Sequence, residues 1–374
     1  MSTMPDKKPT QRKWSPHMWE GCDFFAWTKL LAKNRFAVRP GNWYVAAIAS
    51  GVSFGHTVLK WLQHGQYGRR IAETQIEQPP IFIIGHWRTG TTLLHELMIL
   101  DQRFTFPNTY HCMVPHHFLL TESLAKRYLT WMLPTRRPMD NMLVGWDRPQ
   151  EDEFAMCLMG QPSPYSDFAF PNHSTFAPGS LDLEGLSPRE LREWKRVFYR
   201  YLRTLTFHDP RRLVLKSPPH TARIRHLLDV FPDAKFVHIM RNPWVVFSST
   251  VNLWRKLYQQ HALQRPTFKG LEEYVLNTFV QMYARLEEGR KLVPAGQFHE
   301  LRYEELVADP IDQMQKLYDS LNLGEFENLR PRLDDYLQRN ADYETNKFDL
   351  APEWREQIRT RWADVIARYG YTEP

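Results

Sequence analysis

The run "PPIFIIGHWRTGTTLLHELM", Pro79 to Met98, constrains this chain more than any other stretch. Ile81 to Gly85 reads as a strand buried on both faces, and Gly90 to Leu100 as a helix. Between them, Gly85 to Thr92 keeps the spacing G-x-x-x-x-G-x-T of a phosphate-binding loop. A nucleotide triphosphatase would put lysine where this chain has Thr91. Such a unit lays backbone N–H groups and the positive end of a helix around an anion. Arg88 adds a fixed cationic fork, and Thr91 and Thr92 add hydroxyl donors. The expected fold is therefore α/β, with a P-loop-like parallel sheet flanked by helices, and the expected ligand is a polyanion.

The same punctuation continues downstream. Arg211 to Lys216, Ala234 to Met240 and the start of Phe298 to Leu306 read as strands. Helices are predicted from Pro218-Pro219 to about Phe231, from Pro243 to about Leu257, and over "DPIDQMQKLYDSLNL". Alternating strands and helices imply one parallel sheet with helices on both faces. Residues 101–209, rich in proline and aromatics, are predicted to form an insert of helices and loops over the sheet's carboxyl edge, on the acceptor side. The strands end in Lys216 and Arg241, where a triphosphatase would offer a magnesium-holding Asp. Cations at strand tips let the protein neutralise its anion without a metal.

The first 77 residues read as an N-terminal helical extension ahead of an α/β domain spanning 78–374. "MSTMPDKKPTQRKW" is polar, basic and expected to be disordered or loosely docked, and no signal peptide is read after it. Gly41 to Leu59 lacks Asp, Glu, Lys and Arg, roughly the length that crosses a bilayer. Its serines, Asn42, His56 and internal glycines favour a helix packed on the domain or lying at a membrane surface through 41–62, with a signal anchor as the alternative. The formal charge of +6 is not gathered into a nucleic-acid footprint, and a single basic cleft for a small anion accounts for it. Cys22, Cys112 and Cys157 form neither a disulfide framework nor a metal pattern, so buried free thiols and a reducing, cytoplasmic setting are expected. The oligomeric state is left open.

Taken together, "GHWRTGTTLL", "LVLKSPPHTARIRHLLDVFPDAKFVHIMRNPWVVFSS" and "LRYEELVADP" resemble the sulfotransferases that use 3′-phosphoadenosine 5′-phosphosulfate (PAPS). The likeness is to the branch containing tyrosylprotein sulfotransferases and many bacterial homologues, and runs from about Pro79 to the C-terminus. It implies PAPS as donor, 3′,5′-ADP as product, and an acceptor hydroxyl or amine on a small molecule, lipid or glycan. Arg88, Thr89, Gly90, Thr91 and Thr92 match the loop for the 5′-phosphosulfate, and Lys216 a lysine near the transferring group. Arg241 and Ser249 match the pair that holds the 3′-phosphate, Tyr303 a residue at the cofactor face, and Lys347 a phosphate clamp.

The chain departs from that pattern at the general base. Tyrosylprotein enzymes carry a glutamate shortly after the first helix, and the corresponding "TFPNTYHCMVPHH" has Asn108 and no carboxylate. His111 is the nearest proton acceptor there. "RPQEDEFAM" offers Glu151 and Glu153, which two-residue spacing keeps off one helical face, so only one can enter the cleft. The alternative for these acids is an N-terminal helix cap. The aromatics of "QPSPYSDFAFPNHSTF" either line an acceptor pocket or fill the core. Two competing functions are a kinase or triphosphatase with a degenerate loop, and a non-catalytic 3′,5′-ADP-binding protein.

Overall fold

A computed structural model describes residues 17–128, 145–173, 179–340 and 350–373. Lys347 and the Met1 to Trp14 stretch lie outside the described residues. Five parallel strands form one sheet: β1 (Ile81–Ile84), β2 (Phe104–Thr105), β3 (Arg212–Lys216), β4 (Lys235–Met240) and β5 (Phe298–Arg302), in the order β2-β3-β1-β4-β5. β1 is central, with Ile83 opposite Lys216 on one side and Val237 on the other. The connections after β1, β3, β4 and β5 therefore leave from the same carboxyl edge.

Alternation along β1 explains the layers. Phe82 and Ile84 point into one apolar cluster, and Ile81 and Ile83 into a second on the opposite face. Both faces are covered by helices, so every β1 side chain is buried and the strand can be apolar throughout. The first three helices are α1 (Phe24–Lys33), α2 (Trp43–Glu73) and α3 (Thr91–Met98). The insert adds α4 (Thr109–Met113), α5 (Phe118–Tyr128), α6 (Asp152–Leu158) and α7 (Pro188–His208). After β3 come α8 (Ile224–Leu228), α9 (Pro243–His261), α10 (Leu271–Arg290), α11 (Tyr303–Ala308) and α12 (Pro310–Leu321).

Three expectations need revision. The helix predicted from Pro218 to Phe231 is a 3₁₀ turn, Pro218–Ala222, followed by the short α8, with Arg223 breaking the path at φ −120° and ψ 12°. Side-chain demands outweigh helix continuity there: Thr221 accepts from the Gly85 amide, His220 binds Asp152, and Arg223 binds Glu153. β2 escapes sequence reading because two residues carry no periodicity. α9 runs one turn past Leu257, to His261.

The N-terminal helices share the main core. Trp19, Trp27, Val45 and Ala49 belong to the same apolar cluster as Phe82. α2 turns residues at four-residue spacing, Val45, Ala49, Ser53 and Thr57, against the protein. Its buried face is partly polar: Thr57 accepts from the Phe24 amide, and Gln63 bonds both the His116 carbonyl and the Leu119 amide. By length and composition, α2 is also long and apolar enough to cross a membrane. The three cysteines are buried free thiols.

Candidate active site

The loop between β1 and α3 folds around three residues of positive φ, Gly85, Arg88 and Gly90. Gly90 has φ 101°, and a Cβ there would lie 2.3 Å from Cδ2 of Tyr303. Arg88 adopts φ 71° despite its side chain, a strained conformation of the kind that marks functional loops. Gly90 is also the N-cap of α3 and supplies no side-chain cap, so the helix's first amides are left for an anion. Thr89 points inward, its hydroxyl donating to the His86 carbonyl at 2.7 Å, and it shapes the loop. The Thr91 side chain is buried at the start of α3.

One corner of the cleft gathers the cations beyond β1 and β4. Arg88 donates through Nε to Ser249 Oγ at 2.8 Å, and Arg241 donates to the Arg88 carbonyl at 3.3 Å. The Arg241 guanidinium lies 4.1 Å from the centre of the Tyr303 ring, a cation–π contact that fixes its plane. Arg88, Gly90, Arg241, Ser249 and Tyr303 thus converge. Two guanidinium groups and a hydroxyl here can hold a second phosphate apart from the one at the α3 amides.

The other corner lies at the tip of β3. Lys216 is buried, its ammonium 2.7 Å from Glu151 Oε1 and 3.4 Å from the Thr92 hydroxyl. Glu151 is the N-cap residue of α6, yet its side chain makes no cap bond and reaches Lys216 instead. Its other oxygen accepts from the Tyr165 hydroxyl, which in turn accepts from the Trp87 indole at 2.9 Å. Burial first, and the Glu151 charge second, push the Tyr165 phenol up, so it stays protonated and donates. Around it Phe154, Phe168, Trp254 and Trp87 pack as part of the main core, with ring centres 4.8 to 5.6 Å apart in successive contacts, so these aromatics of the insert fill the core. A carboxylate flanked by a lysine and a phenol beside an anion loop can accept a proton, and the lysine can offset charge that develops nearby.

Three consecutive acids clamp the tip of β3 and the segment that follows it. Glu151 takes Lys216, Asp152 takes His220 at 2.7 Å, and Glu153 takes Arg223 at 2.5 and 3.0 Å. The Glu153–Arg223 pair is fully buried, and Arg223 also donates to the carbonyls of Ser180 and Leu181. Glu153 therefore does not join Glu151 at the cleft. His111 is also elsewhere: it lies 3.0 Å from Glu122, within a cluster that includes Asn108, Lys126 and His208. Burial pushes its imidazole below the ordinary range, against the pull of Glu122. His111, Glu122 and His208 offer donor atoms within 4.8 Å of one another, but Lys126 and Asn108 already donate to that carboxylate.

Sequence reading missed Tyr165, Trp87, His220 and Arg223. The aromatic run around Tyr165 was the available signal, and it does not say which ring faces the carboxylate.

Known proteins supply the remaining context. The sequence profile of the Sulfotransferase family matches residues 79–328. The chain is 48% identical over 360 residues to the omega-hydroxy-beta-dihydromenaquinone-9 sulfotransferase Stf3 of Mycobacterium bovis, covering 96% of this chain and 92% of that protein. The Mycobacterium tuberculosis protein of the same name matches with the same figures. Among solved structures, sulfotransferase STF9 from Mycobacterium avium superposes with a TM-score of 0.69 at 22% identity, over 93% of this chain and 92% of that one. STF1 from Mycobacterium tuberculosis superposes with a TM-score of 0.60 at 18% identity, over 92% and 94%. Both share this fold.

Proposed function

This chain belongs to the sulfotransferase family, and we propose that its donor is PAPS and its acceptor a hydroxyl on a long, apolar quinone-type lipid. The enzyme is a sulfotransferase, with a nucleotide donor and a small-molecule acceptor. The finer reading gives the two cleft corners separate duties. When bound, PAPS supplies an electrophilic sulfur, and transfer releases 3′,5′-ADP. Residues that fit such a donor are present: the uncapped amides of α3, the close Gly90–Tyr303 approach, and the Arg88–Arg241–Ser249 group. Arg88, Thr91, Thr92 and the α3 amides would hold the 5′-phosphosulfate, with Thr89 and Gly90 setting the loop. Arg241 and Ser249 would hold the 3′-phosphate, with Tyr303 keeping Arg241 in place.

Glu151 is our candidate for the base. It takes the acceptor's hydroxyl proton as the oxygen–sulfur bond forms, and Tyr165 holds the carboxylate in orientation. Lys216 and the loop donors offset the charge left on the departing phosphate oxygen. Glu153 and His111 are not carried into this mechanism, because their partners occupy them away from Lys216. The carrying observation is the 2.7 Å contact between Glu151 and Lys216 beside Thr92. The lipid acceptor is supported by the printed substrate of the 48% identical relatives. The reading sets the reaction in the cytoplasm, at a membrane.

The experiment is transfer of labelled sulfur from PAPS to a ω-hydroxylated prenyl quinone. Wild type should sulfate it, while Glu151→Gln should keep 3′,5′-ADP binding and lose turnover. A Glu151→Gln enzyme with unchanged turnover would remove the base assignment, and failure of the wild type with this lipid would remove the acceptor.

A further inference from the structure

α2 is amphipathic in the inverted sense. The face it packs on the protein includes Ser53, Thr57 and Gln63, all hydrogen-bonded, while the face it shows to solvent is apolar. Trp43, Ile48, Val52, Phe54, Val58 and Trp61 are exposed, with Trp43, Phe54 and Trp61 more than 60% so. A soluble helix places these residue types the other way round. No Asp, Glu, Lys or Arg occurs between Trp43 and Leu59, and Lys60, at the far end, is drawn to the buried Asp23. The uncharged face is about 25 Å long at helical rise. Monomeric soluble proteins seldom leave a contiguous apolar surface of this kind uncovered.

α1 extends the same surface. Phe25, Lys29 and Lys33 fall at four-residue spacing on its exposed side, with Arg35, Phe36 and Arg39 exposed just beyond. The Phe24 and Phe54 rings meet edge to face at 6.5 Å, joining the two helices' outer faces. An apolar, aromatic-rich plane bordered by Lys29, Lys33, Arg35 and Arg39 matches an anionic lipid surface in both polarity and charge.

We propose that the outer face of α1 and α2 docks on an anionic bilayer, with α2 lying in the plane of the interface and not crossing it. A spanning helix would have to leave Val45, Ala49, Ser53 and Thr57 without the partners they pack on. The docked end also leads to the acceptor corner. Arg39 and Asn42 bond the carbonyls of Leu263 and Ala262, Leu263 bonds the Ala169 carbonyl, and the neighbouring Phe168 stacks on Tyr165. Naming the bilayer as the acceptor's source rests on the lipid-acceptor reading above. The docking face rests on exposure and charge alone.

The test is flotation of the full chain with vesicles of phosphatidylglycerol and phosphatidylcholine, beside vesicles of phosphatidylcholine only. Wild type should float with the anionic vesicles, float less with the neutral ones, and be stripped by alkaline carbonate. Phe54→Glu with Trp61→Glu should lower partitioning at least about 10-fold, and the milder Trp61→Ser by less. Val307→Glu, an exposed residue on α11, should change nothing. All three variants should melt as wild type and turn over a short-chain, water-soluble hydroxyquinone at the wild-type rate. Undiminished flotation of the double variant overturns the proposal. So does a wild-type dimer that the double variant splits without any vesicle binding, or a wild type that resists carbonate. Flotation as expected with no acceptor sulfated leaves docking standing and sinks the lipid-acceptor reading instead.

Discussion

The two corners of the cleft are built on different principles. At the Arg88–Arg241 corner the cations are half-buried, and their contacts include a carbonyl, a hydroxyl and a tyrosine ring. At the Lys216 corner the cation is buried and already faces a carboxylate. The first arrangement sets two guanidinium groups and a hydroxyl side by side, a donor set that suits a polyanion. The second holds a lysine and a carboxylate in contact, the pair proposed above to take a proton and offset a leaving group. Binding and chemistry are thereby separable, and substitutions in one corner should leave the other's readout largely intact.

The largest effect expected is at Glu151. Glu151→Gln should cut kcat by about 10²- to 10⁴-fold, as measured by labelled-sulfur transfer, with 3′,5′-ADP affinity unchanged. A parallel loss of affinity would erase the division between corners. Next is the buried clamp behind the site. Glu153→Ala leaves Arg223 charged and unpaired at zero exposure, and should cost about 3–5 kcal/mol in denaturant unfolding. A loss below about 1 kcal/mol would show that Glu153 is not the structural partner described here.

Acid sensitivity comes third. Burial, and for His95 also the Lys216 charge, lowers the imidazoles of His95 to about 3 and of His86 to about 4. The unfolded chain takes up these protons near the ordinary histidine value, so the stability they contribute is full above pH 6.5 and is lost as pH falls toward 4. Each should add a slope of about 1.4 kcal/mol per pH unit in that window. His95→Gln should flatten the stability–pH curve by one such increment, and an unchanged slope would mean that His95 is protonated in the fold. The smallest effect is at Ser249. Ser249→Ala removes one hydrogen bond to Arg88 and should weaken 3′,5′-ADP by roughly 3- to 10-fold without altering kcat.

The Arg88 corner was the more legible in the sequence, for a physical reason. Arg88, Arg241 and Tyr303 sit on the loop or just beyond a strand, and an eight-residue offset leads from Arg241, past the tip of β4, to Ser249 about two turns into α9. Arg88 meets Ser249 across 161 residues, and that contact follows from β1 and β4 lying side by side and delivering their carboxyl ends to one sheet edge, which the alternation of strands and helices already implies. The Lys216 corner depends on a contact spanning 65 residues, and only the orientation of α6 decides that Glu151 and not Glu153 reaches the lysine. Neither His220 nor Arg223 could be assigned, because the helix predicted through them is broken by the partners they find in the insert. For α2 the sequence showed an uncharged run but not its polarity reversal. That reversal becomes visible only when Ser53 and Thr57 are seen facing inward.

The central claim is that the Arg88–Arg241–Ser249 corner recognises a phosphate on the ribose. Calorimetric titration of 3′,5′-ADP and 5′-AMP into wild type and Arg241→Ala addresses it directly. The account predicts that wild type binds 3′,5′-ADP at least about 10-fold more tightly than AMP, and that the variant loses most of this preference. Equal affinities in the wild type, or a preference untouched by the substitution, would contradict it.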